Sequence, residues 1–181
     1  SPATSLAGNG SAPYMGGKFT TNSATSTVWV ENIAGSLGLA VTPAEVGFAG
    51  QTVKCPAAAI NAALAGTCTG YGQGGSRVTD PNGIGKAGGA LTVPVVTQIA
   101  NHLTRFGGFK SSDLILVYVG SNDVFTQFGA FAAKATQIQT DAARGKLTAD
   151  AANAALFAAQ TEAQAGMKAA AQELAGYVKN Q

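Results

Sequence analysis

The sequence predicts an α/β fold, and three observations carry that prediction. Leu114–Val119 is an unbroken apolar run, rich in Val and Ile, between Asp113 and Gly120. Too short for a helix of its own, such a run suits a strand buried on both faces of a parallel sheet. Directly after Gly120-Ser121-Asn122-Asp123 the apolar spacing turns helical, at Val124, Phe125, Phe128 and Phe131. Further stretches with helical periodicity lie on either side, separated by glycine-rich loops. A strand, a tight polar turn and a helix would put Asn122 just beyond the carboxyl end of a strand, where open α/β sheets bind ligands. The same residues also suit an ordinary turn, because Asn and Asp tolerate left-handed backbone and Asp123 can cap a helix.

Taken in order, Ser1–Ser26 is rich in Gly, Ser, Thr, Asn and Pro and reads as a loop. Trp29, Ile33 and Leu37 then recur every four residues. With Ser26 or Thr27 as a cap and Gly38 as a stop, they predict an amphipathic helix with Trp29 in the core. Val41–Thr69 is less regular and holds both cysteines. Cys55 and Cys68 enclose a short helix-prone stretch, and a single Cys pair without clustered His is a poor metal site. In an exported protein the pair reads as a disulfide, worth ~3 kcal/mol for a loop of that length. The alternative is two buried free thiols in a cytosolic protein.

Gly70-x-Gly72-x-x-Gly75 has the spacing of a dinucleotide fingerprint, but its context rejects that reading. No strand precedes it, and Asp80-Pro81-Asn82-Gly83 follows where a helix should continue. No Gly-Lys-Ser/Thr follows either, so it is not a Walker loop. Glycine here lets the backbone approach a ligand closely, with an N–H free to face it. Asp80–Leu91 is a second glycine-rich loop. Thr92 is expected to cap the next helix, with Pro94 in its first turn and a stripe of Val95, Val96, Ile99, Leu103 and Phe106. His102, the only histidine, sits beside that stripe and reads as an ordinary helix residue. Beyond Ala135 the chain is alanine-rich and helical, broken at Gly145 and restarted at Thr148 or Asp150. Leu156, Ala159, Ala163, Met167, Ala170, Leu174 and Tyr177 mark a packing stripe there, and the two helices can form a hairpin.

At 181 residues, 46% of them hydrophobic, the chain has the length and apolar content of a single domain with a sizeable core. Only 11% of residues are charged, and the net charge of +2 points to no polyanionic partner. No basic cluster with interleaved aromatics suggests nucleic acid. The chain opens Ser1-Pro2-Ala3-Thr4 without a basic start or an apolar core of a signal peptide, and no apolar run is long enough to span a bilayer. Nothing in the pattern calls for a metal or a cofactor.

Two blocks resemble the SGNH (GDSL-type) serine esterases and lipases. Gly70-Tyr71-Gly72-Gln73-Gly74-Gly75-Ser76-Arg77-Val78-Thr79 is similar to that family's second block, which in many bacterial members is close to N-Y-A-Q-G-G-A-R-V-T. The departures are Gly70 for Asn, Gly72 for Ala and Ser76 for Ala. Gly120-Ser121-Asn122-Asp123 matches the third block, G-x-N-D. The resemblance implies a flavodoxin-like three-layer sandwich around a parallel sheet, helix-rich in this portion. It further implies an oxyanion hole using the Gly75 N–H and the Asn122 side chain, and hydrolysis of carboxylic esters through a serine acyl-enzyme. An acyltransferase of the same family, or a non-catalytic binding or structural fragment, is the alternative. Neither Gly-Asp-Ser nor Asp-x-x-His occurs in the sequence. Residues 1–181 are therefore expected to be an interior part of one domain, inactive alone. The nucleophile and base would lie on the remaining N- and C-terminal segments, as separate chains, and the location would be secreted, periplasmic or at a bacterial cell surface.

Overall fold

The computed structural model describes residues 27–180, so the predicted loop over Ser1–Ser26 lies outside the described residues. The chain divides into two compact units, Ser1–Tyr118 and Val119–Gln181.

In the first unit, α1 spans Trp29–Ser36. Its start is closed by the Glu31 carboxylate, which accepts the Val28 N–H at 2.7 Å, and this bond explains why an acidic side chain is buried there. The helix turns its Glu31 and Ala34 edge inward, so Trp29 is half exposed at 50% rather than in the core. Gly38, at φ +70°, stops it as expected.

Strands β1 (Glu45–Phe48) and β2 (Gln51–Lys54) form an antiparallel hairpin in which Glu45 faces Lys54 and Phe48 faces Gln51. Ala49 and Gly50 both adopt positive φ, the two-residue turn whose twist matches that of the strands. Val46 is fully buried beneath it. Helix α2 (Pro56–Ile60) and a 3₁₀ segment over Ala62–Thr67 follow. The disulfide Cys55–Cys68 ties the two ends of this segment together, its Cα atoms 5.4 Å apart, and packs with Ala57, Ala58 and Leu64. Helix α3 covers Val95–Phe106 and ends at Gly107, φ +79°.

The predicted sheet is not there. Among the described residues the only paired strands are β1 and β2, antiparallel, and most of these residues are helical. A flavodoxin-like sandwich around a parallel sheet is therefore overturned. Leu114–Val119, the expected central strand, has no regular secondary structure. Its side chains from Leu114 to Tyr118 are all exposed. Composition favours a strand at this position, but a ladder needs neighbouring backbone, and among the described residues none is paired with it. A second correction concerns Thr92. It does not cap α3; Pro94 stands at that position, while Thr92 is buried at φ +44°.

The second unit is a helical hairpin of α4 (Ser121–Ala143) and α5 (Ala149–Lys179). Thr148 caps α5 by accepting the Ala151 N–H at 3.2 Å. Buried Ala152, Ala159, Ala163 and Ala170 recur along one face of α5, as the packing stripe predicted. Small residues there allow close approach: the space a Cβ would fill at Gly166 is taken by the Gln127 side chain. Lys134 of α4 reaches Glu162 of α5 at 2.5 Å.

Candidate functional site

The loop Gly70–Val78 is built as a brace for helix α3. At its start Gly70 exchanges two backbone hydrogen bonds with the segment before β1: its N–H donates to the Thr42 carbonyl, and its carbonyl accepts from the Ala44 N–H, both at 3.0 Å. Further on, the Gln73 side-chain oxygen accepts the Val93 N–H at 2.9 Å. The carbonyls of Arg77 and Val78 then receive the N–H groups of Val95 and Val96, both at 3.1 Å. Two of the donors that every helix start leaves without an internal partner are thus met by main chain. Arg77 is fixed by an ion pair with Asp80, whose other oxygen accepts the Asn82 N–H at 2.8 Å.

Gly75 lies at the tightest point. Its φ is +81°, and a Cβ there would come within 1.9 Å of the Ile84 carbonyl oxygen. The Gly75 carbonyl accepts the Ile84 N–H at 2.9 Å. Glycine is therefore demanded by backbone packed on backbone, in addition to any ligand. The Gly75 N–H makes no hydrogen bond among the described residues.

Asn122 lies in the first turn of α4, after Gly120 at φ +103°. It is half-buried, and its carbonyl accepts the Thr126 hydroxyl at 2.8 Å. The neighbouring Asp123 is 3% exposed. Gly75 belongs to the first unit and Asn122 to the second.

His102 takes its place in an aromatic cluster. It stacks on Phe109 with ring centroids 4.4 Å apart, lies 4.9 Å from Phe106, and meets the edge of Tyr71 at 5.6 Å. Its Nε2 and the Tyr71 hydroxyl are buried without a hydrogen-bond partner among the described residues. Burial pushes the Tyr71 pKa up, and the Arg105 charge pulls the other way.

Beside this cluster opens a cavity of about 200 Å³, lined by Glu45, Lys54, Tyr71, Gln73, Gln98 and Arg105 among others. The Glu45–Lys54 ion pair, 2.7 Å, forms part of its wall. Gln98 donates to the Val93 carbonyl at 2.7 Å, so Val93 is held on both sides by glutamine amides. Sequence reading passed over Glu45, Gln98 and Arg105. The available signal was Gln98, a polar residue one step from the apolar stripe of α3. Among the described residues no group of three or more His, Cys, Asp or Glu could hold a metal ion. No described helix is long and apolar enough to cross a membrane. No family model, curated protein or solved structure matches this chain.

Proposed function

We infer that this chain contributes oxyanion-stabilising donors to a serine carboxylesterase or lipase. The observation that carries the reading is the Gly75 N–H, which has no hydrogen-bond partner among the described residues, in a loop whose sequence resembles the second block of the SGNH enzymes. Asn122 is assigned a donor role through its side-chain amide by the resemblance of its own block to G-x-N-D. In the chemistry this implies, a serine alkoxide adds to the ester carbonyl and the negative charge moves to the carbonyl oxygen. Collapse expels the alcohol and leaves an acyl-enzyme, which water hydrolyses to the acid. Donors aimed at the oxyanion lower both barriers, and the loss of one costs ~3–4 kcal/mol. The serine and its histidine–aspartate pair come from the N- and C-terminal segments of the same enzyme, so this chain alone is inactive. The Cys55–Cys68 disulfide supports an oxidising location, secreted, periplasmic or at the cell surface.

The test is ester turnover by the assembly of this chain with the segments carrying Gly-Asp-Ser and Asp-x-x-His. Asn122→Ala should lower kcat by about a hundred- to thousandfold while circular dichroism is unchanged. A variant that keeps most of the parental rate removes Asn122 from the site. Absence of both ester turnover and fluorophosphonate labelling in the complete assembly overturns the assignment.

A further inference from the structure

Of the described asparagines, Asn82 alone precedes a glycine. Asn82 is exposed, whereas Gly83 is buried. The main chain around the pair is fixed. The Asn82 N–H donates to the Asp80 carboxylate at 2.8 Å, the Gly83 carbonyl accepts the Lys86 N–H at 3.1 Å, and the Gly75 carbonyl accepts the Ile84 N–H at 2.9 Å. The two groups able to react with each other are not held. Among the described residues neither the Asn82 carboxamide nor the Gly83 N–H makes a hydrogen bond. Other asparagines are placed differently. The Asn32 carboxamide oxygen accepts the Thr27 hydroxyl at 2.6 Å, and its neighbour is the β-branched Ile33. Asn101 lies inside α3, where the next N–H belongs to the helix ladder.

We propose that Asn82 is a self-modification site, converted to aspartate and isoaspartate by attack of the Gly83 nitrogen, and that the isoaspartyl form releases the Gly75 turn. The carboxamide swings on its own side-chain torsions onto a nitrogen that the loop keeps still, and glycine puts no Cβ in its way. The Gly83 nitrogen loses its proton to solvent and bonds to the Asn82 Cγ. The Cγ–Nδ2 bond breaks and ammonia leaves with a proton taken from water, giving a cyclic imide. Water then opens the ring at either carbonyl, and no oxidant or reductant takes part. Opening at Cγ leaves aspartate on an unchanged main chain. Opening at the main-chain carbonyl routes the chain through Cγ and lengthens it by a carbon. Gly83 has no slack to absorb that length: an atom at its Cβ position would stand 2.3 Å from the Gly75 carbonyl oxygen and 2.6 Å from the Thr92 Cβ. The Ile84 N–H is therefore drawn off the Gly75 carbonyl. This inference stands on the chemistry of the loop, and it holds whether or not the assembled protein cleaves esters.

The experiment ages the full chain in mildly alkaline buffer and follows its tryptic peptides by mass spectrometry against an unaged sample. Val78–Lys86 carries Asn82 and no other asparagine, and Ala87–Arg105 carries Asn101. Conversion is read as the mass gain of amide-to-acid exchange and as methyl transfer by an isoaspartyl methyltransferase. At Asn82 it should outpace that at Asn101, which must first open its helix, by at least about tenfold. Asn82→Gln, which would have to close a larger ring, should abolish the gain in Val78–Lys86 with circular dichroism unchanged. Equal rates at the two asparagines, a gain that persists in the variant, or a gain without isoaspartate overturns the modification. The isoaspartyl form should unfold at lower urea than Asn82→Asp, which carries the same charge on an unlengthened chain. Equal midpoints for those two overturn the release of the Gly75 turn.

Discussion

Replacing Gly75 with alanine isolates the tightest contact in the first unit. The added Cβ would stand 1.9 Å from the Ile84 carbonyl oxygen, about 1.5 Å short of ordinary van der Waals contact. The obstacle is main chain, which cannot swing aside as a side chain can. Ile84 and its neighbours must retreat, and the 2.9 Å bond from the Ile84 N–H to the Gly75 carbonyl goes with them. Losing that bond costs about 1 kcal/mol. Holding a non-glycine residue at φ +81° adds about 1–2 kcal/mol. A total of about 2–3 kcal/mol, with a urea slope of about 2 kcal/mol per molar, lowers the midpoint by about 1–1.5 M. Gly88→Ala is the control, since nothing lies within 4 Å of its Cβ position. The assay is urea unfolding followed by circular dichroism. Equal midpoints for Gly75→Ala and Gly88→Ala would refute the reasoning. The same figures govern any activity measurement at this position, where turnover must be expressed per folded molecule before Gly75 is credited as a donor.

Two further outcomes follow from the first unit. Reducing Cys55–Cys68, or replacing both residues with serine, should cost ~3 kcal/mol by releasing loop entropy to the unfolded chain, and an unchanged urea midpoint with reductant would contradict this. Tyr71 titrates above its ordinary value of 10.0 in the folded chain because it is buried. The unfolded chain thus loses the phenolic proton first, so the stability Tyr71 contributes is intact below pH 10.0 and is lost as pH rises through the folded value. From about pH 9 to about pH 11 the urea midpoint should fall less in Tyr71→Phe than in the parent. Parallel falls would show that the phenol is not the cause.

What the sequence made legible is local. The stripe on α5, its Thr148 cap, the Gly38 stop and the Cys55–Cys68 bridge each depend on residues close together in the chain, and they were read correctly. What failed is non-local. Leu114–Val119 has strand composition, yet strand identity belongs to a ladder, and pairing partners cannot be read from one segment. Trp29 fits a helical stripe, but which edge of an eight-residue helix turns inward was decided by Glu31 bonding to Val28. Thr92 looked like a cap because threonine often is one. Here its buried position against Gly75 and Gly83 prevailed, and main-chain carbonyls closed α3 instead. Of the candidate site, the sequence pointed to Gly75 for approach to a ligand, whereas the structure shows glycine demanded there by the Ile84 carbonyl. The Glu45–Lys54 pair and the Gln73–Gln98 clamp on Val93 were not legible, because they depend on a strand register and on a loop crossing a helix start.

The way α3 is closed has a consequence for comparing this chain with others. Arg77 and Val78 serve the helix through carbonyl oxygens, which every amino acid carries. The join therefore writes nothing into the identities of those two residues. What it requires is a course for the backbone, and that course depends on positions 75 and 83, where a single added carbon would collide with main chain or with Thr92. A relative could share the whole brace and show in alignment little more than two glycines eight residues apart.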